Sequence, residues 1–168
     1  GSGTASAAQG TLPGDFLYPI KLSITEKVEA ALAPNAAAKA TVEMKLAERR
    51  VEEAQTLAAE GRLDATLAAQ LADNFDQHAG SAETLVEEVE ATDPGVAVQI
   101  KTRLASSLAV NGAVLQQIGR SSKDEGTKEH SDSLGTRVIA RAEGPSKVAV
   151  QARAFAAAAP AAPSEDKK

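Results

Sequence analysis

Three breakers divide the middle of this chain into runs of helical period: Pro34-Asn35, Gly61 through Asp64, and Asp93-Pro94-Gly95. Proline cannot continue a helix, glycine readily ends one, and Asn or Asp caps the next. Asn35 is placed to cap a helix running to about Glu60, with Met44, Ala47, Val51, Ala54 and Ala58 as its apolar stripe. Asp64 is placed to cap another, preceded by Leu63 as a staple residue. Its stripe reads Leu67, Leu71, Phe75, His78, Ala82, Leu85, Val89, and beyond Asp93 the pattern repeats as Ile100, Leu104, Leu108, Asn111, Leu115, Ile118, with Gly119 expected to end that helix. Upstream, Pro19 opens a helix to Ala33 with Ile20, Ile24, Val28, Ala31 and Leu32 on one face. Connections of a few residues force neighbouring helices antiparallel, so the expected fold is all-α, an antiparallel bundle of about four helices.

Composition restricts what this bundle can do. Of 168 residues 36 are alanine, and aromatic residues make up only 2%. The core must be thin and aliphatic, which argues against a large aromatic-lined pocket. Cysteine is absent, which removes disulfides, thiolate metal sites and Cys nucleophiles, and two histidines make a multi-histidine metal centre improbable. A net charge of −5 argues against nucleic acid as a partner. No apolar run approaches the ~20 residues of a membrane span.

Residues 1–11 read as a tag scar followed by a small, polar tether, and 12–120 as the bundle. Residues 121–132 lack a period and read as a solvated linker. Leu134, Val138 and Ala142, then Val148, Ala152 and Phe155, suggest weak peripheral helices over 133–159, interrupted at Gly144-Pro145; 160–168 reads as a disordered tail.

Few residues could carry chemistry. His78 and Asn111 are the lone polar members of their stripes, and an antiparallel count about Pro94 brings them level. Bonded to each other, they would be a structural pair that sets register. His78 with Asp73, Asp76 or Glu83 is a conceivable metal site, although Asp76 points to another helix face. Residues 64–93 hold eight acids and no Lys or Arg, whereas 94–120 hold Lys101, Arg103 and Arg120 and no acid. That asymmetry fits two complementary solvated helices, with Glu87 opposite Lys101, or an acidic face that binds cations or a basic partner. Arg49 and Arg50 fall level with Tyr18, close to Asp15. One of them could clamp the Leu12-Pro13-Gly14-Asp15 turn, with Tyr18 packed on the second helix, or serve structure alone.

Leu12-Pro13-Gly14-Asp15-Phe16-Leu17-Tyr18-Pro19-Ile20-Lys21, with Glu26-Lys27-Val28, Ala38-Lys39-Ala40 and Leu46-Ala47-Glu48-Arg49-Arg50-Val51, resembles a bacterial domain of unknown function. Its hallmarks are a Leu-Pro-Gly-Asp-x-Leu-Tyr-Pro-x-Lys start and an Ala-Glu-Arg-Arg helix. The resemblance covers about residues 10–92. It implies a secreted or membrane-anchored all-helical domain, in some members the outer part of an anti-sigma-factor-like protein, and implies no activity.

The expectation is therefore an extracytoplasmic, non-enzymatic module for binding, sensing or structure, with no cofactor. A protein partner or self-association is expected, and membrane contact only through an anchor outside this sequence. The alternative is a metal- or stress-sensing domain that uses the acidic helix.

Overall fold

The computed structural model describes residues 12–13 and 26–158, the side chains of 26, 27, 30 and 145–158 excepted. These residues form α1 (Glu26–Ala31), α2 (Ala36–Ala59), α3 (Ala65–Thr92), α4 (Pro94–Ser121) and α5 (Glu125–Ala158). The first and last expected segments, 1–11 and 160–168, lie outside the described residues.

The breakers act as their chemistry dictates. Asn35 accepts the Ala38 N–H at 2.8 Å and Asp64 that of Leu67 at 2.8 Å. At the end of α2, Gly61 takes φ +68°, and Arg62 N–H reaches Leu57 O at 2.8 Å while Gly61 N–H reaches Ala58 O at 3.1 Å. This double closure of the last carbonyls requires a left-handed residue, hence glycine. Asp93 alone joins α3 to α4. Its N–H donates to Val89 O at 2.7 Å and its carboxylate accepts the Val96 N–H at 3.0 Å, with Pro94 as the first helical residue.

The expected stripe of α2 is buried throughout: Met44, Ala47, Val51, Ala54 and Ala58 are each at most 2% exposed. It meets Leu71, Phe75, Leu104, Leu108 and Leu115 in the main core, joined by Leu134 and Val138 of α5. A second cluster of Ala40, Val86, Val89, Ala97 and Ile100 fills the end of the bundle beside Asp93.

Along α3 and α4 most of the expected stripe is buried, Leu71, Phe75, Ala82, Val89, Ile100, Leu104, Leu108 and Leu115 among it, but at some turns the seam falls one position later. Ala79, not His78, is fully buried on α3; Gly112 and Gly119, not Asn111 and Ile118, are buried on α4. Gly119 therefore lies inside α4 and does not end it. The reason is close packing between α4 and α5. An alanine Cβ at Gly112 would stand 2.9 Å from the Gly135 carbonyl oxygen and 2.7 Å from Ile139 Cγ1. One at Gly135 would stand 2.8 Å from the Gly112 carbonyl oxygen. The two backbones touch where no side chain intervenes.

Three expectations are corrected. Residues 121–132 are not a linker: after a turn at Ser122–Asp124, α5 begins at Glu125, its first N–H groups capped by Asp124, which accepts from Thr127 N at 2.7 Å. Residues 133–143 are not peripheral, because Thr127, Ser131, Leu134, Gly135 and Val138 are buried against the bundle. The apolar face expected on the first helix is not covered where it is described, with Val28 49% and Leu32 77% exposed; Ile20 and Ile24 lie outside the described residues. The expected interruption falls where it was read: Gly144 has φ 60° and ψ −175°, a conformation essentially confined to glycine.

Gly112→Ala and Gly135→Ala are each expected to destabilise the fold by about 1–3 kcal/mol, since backbone must move to admit the methyl group. Gly80→Ala meets no backbone, only the Arg141 guanidinium at 3.3 Å, and should cost less than either, the helix propensity of alanine offsetting a small shift of that side chain. Urea midpoints of the three variants check this; equal midpoints would contradict the close seam.

Candidate functional site

The last helix carries its cations onto the acidic helix. Arg141 forks Glu83, Nε to Oε1 and Nη2 to Oε2 both at 2.9 Å, and its Nη1 reaches Asp76 Oδ1 at 3.4 Å. Arg137 also pairs with Asp76. The Glu83 carboxylate raises the Arg141 pKa further above its ordinary value, against the opposing effect of burial, so this guanidinium is charged at every physiological pH. The fork geometry makes this a better pair than most at a surface, where such contacts contribute ~0–1 kcal/mol. Lys101 pairs with Glu90 at 2.5 Å rather than with the expected Glu87, one helical turn nearer Asp93.

Beside these pairs a groove of about 360 Å³ opens between α3, α4 and the Gly144 end of α5. Val86, Leu104, Ala105 and Ala142 form its apolar surface; Glu83, Glu87, Glu90 and Glu143 rim it, with Lys101 and Arg141. Among the described lining residues, four carboxylates stand against two cations around an apolar floor. Periodicity on separate helices showed the acids, but not that α5 would supply the third wall.

The other sequence candidates are dispersed. His78 and Asn111 do not bond each other; each bonds α2. His78 Nδ1 lies 2.7 Å from Glu43 Oε2, with both side chains mostly buried. Asn111 accepts from Gln55 Nε2 through its side chain at 3.2 Å and its backbone carbonyl at 3.0 Å, and donates to Ser107 Oγ at 3.2 Å. Since Ala79 and Gly112 take the seam, their larger neighbours turn toward α2.

Arg50 is wholly buried and pairs with Glu53 one turn on at 3.2 Å. Arg49 stands 3.8 Å from Glu29 of α1, both partly exposed. Leu12 packs against the main core and Pro13 is buried, so the start of the motif is docked. Asp15 and Tyr18, and with them the expected arginine clamp, lie outside the described residues. No three His, Asp or Glu side chains among the described residues form a group that could hold a metal ion. No helix among them is long and apolar enough to cross a membrane.

Two measurements probe this arrangement. A double-mutant cycle should find coupling of about 0.5–1.5 kcal/mol between His78 and Glu43 and none between His78 and Asn111; the reverse would restore the α3–α4 pairing. Asp124 titrates below its ordinary value because it accepts the Thr127 backbone N–H. A lowered folded-state value stabilises above the unfolded value of 3.8 and that stability is lost as pH falls through the folded value. Asp124→Ala should therefore lower the urea midpoint at pH 7, and the gap to the parent chain should narrow as pH falls below 3.8 and through the lowered folded value.

No curated protein and no solved structure matches this chain. One family does, described as a domain of unknown function, DUF5667, and it matches residues 10–125. The match extends beyond the motif-bearing region through all of α4 to the first residue of α5.

Proposed function

Because the chain belongs to the DUF5667 family, whose description names no activity, we propose its role from its surface: it is a protein-binding module whose groove takes a basic amphipathic helix. The observation that carries this reading is the groove itself, an apolar surface of Val86, Leu104, Ala105 and Ala142 inside a rim whose described residues are mainly acidic. A helix with apolar residues at i, i+4 and i+7 and Lys or Arg on its flanks matches both features. The rim charges would raise the association rate and the apolar floor would hold the complex.

The module works outside the cytoplasm of a bacterium, as the Leu-Pro-Gly-Asp start and the Ala-Glu-Arg-Arg helix suggest by resemblance. Its task is binding or signal reception rather than catalysis, and it needs no cofactor. The basic-partner reading is preferred to cation sensing because Asp76 and Glu83, two of the carboxylates a cation would need, are already held by Arg137 and Arg141.

The test is a titration of the full chain with a synthetic amphipathic Lys/Leu helix, followed by amide chemical shifts. Shifts should centre on 83–90 and 101–105, weaken as salt rises, and Glu87→Lys should lower affinity by about 3- to 10-fold. Shifts spread over the whole acidic surface, or unaffected by Glu87→Lys, would overturn the groove reading.

A further inference from the structure

The chain carries its own segment of the chemistry that the groove selects. Gly144 lines the groove, and α5 continues past it to Ala158. From Pro145 to Ser164 the sequence has no acid; Lys147 and Arg153 are its only charges. Val148, Ala152 and Phe155 recur at i, i+4 and i+7, one apolar stripe of a helix. Fourteen helical residues span about 21 Å, long enough to run along both flanking helices. At Gly144 the backbone leaves the helical region, so the segment's direction is set at the groove's edge.

We infer that the Pro145–Ala158 segment is an internal occupant of this groove, an autoinhibitory helix that an external basic helix must displace. The inference rests on the groove reading above. Charge complementarity identifies the occupant: a segment with a net charge of +2 begins at the edge of a groove whose described lining residues hold four carboxylates against two cations. Tethering adds to this, because a short linker holds its ends together at an effective concentration of order millimolar. An external helix of micromolar affinity would compete poorly until it bound more tightly or the segment was drawn away.

The absence of cysteine makes a direct test possible in the full chain. A nitroxide on Gln151→Cys should broaden the amides of Val86, Glu87, Leu104 and Ala105, independently of protein concentration. The Lys147→Glu/Arg153→Glu pair should abolish the broadening while amide shifts elsewhere in the bundle stay in place. The same pair should raise affinity for the Lys/Leu helix by about tenfold or more. Broadening that appears only between labelled and unlabelled chains in a mixture would make the occupant a second copy and overturn the inference. Absent broadening, with the Lys/Leu helix binding parent and charge-reversed chains alike, would overturn autoinhibition and leave the groove reading standing. Failure of that helix to bind either chain would overturn both.

Discussion

The contact between Gly112 and Gly135 governs how the rest of the bundle is arranged. Two helices whose backbones meet without side chains between them have their separation fixed by the backbone itself. With α5 held so close to α4, Leu134 and Val138 reach the main core. Arg137 and Arg141 are brought over the acidic α3, and Ala142 and Gly144 become a wall of the groove. A bulkier residue at either glycine would move all of these together, so charge neutralisation and groove shape are both tied to one packing contact.

The boundaries of α2 and α3 and the start of α4 were legible because they rest on local chemistry. Asn35, Asp64 and Asp93 cap, and Gly61 closes α2, with no need of tertiary context. What was not legible was which residues faced the neighbours. A stripe extended by steps of three and four residues can land on either of two neighbours at a turn, and after Phe75 and Leu108 it landed on His78 and Asn111 rather than Ala79 and Gly112. Close packing chose the small ones, and a one-residue shift on both helices then placed two polar side chains in a false pair. The start of α5 was hidden for the same reason. Its buried positions, Thr127, Ser131 and Gly135, have polar or minimal side chains, and the surrounding Lys and Glu residues gave the stretch the look of a linker. Asp124, three residues before Thr127, was the cap signal that could have revealed the helix.

The functional candidates divided along the same line. The excess of acid on α3 could be read directly from the order of residues. That Arg141 would neutralise one end of it and leave Glu87 beside an apolar floor depended on α5, whose place was not readable. Arg50 shows the opposite case. Its motif marked it in the sequence, and it lies buried beside Glu53. Removing one member of a buried ion pair generally costs about 3–5 kcal/mol, which by itself gives this arginine structural weight.

The single-residue junction at Asp93 bears on how the molecule reaches its structure. The most extensive helix contacts join α2 to α3 and α4 to α5, two antiparallel hairpins of adjacent segments. Each hairpin closes a loop of only a few residues, so little chain entropy is lost before its contacts form. Joining the hairpins then requires no long-range search, because Asp93 already holds the end of one against the start of the other. Local contacts of this kind characterise fast-folding helical domains. The same lack of slack makes 92–94 a poor site for insertions, since an added residue would turn every later side chain of α4 by about 100° relative to α3.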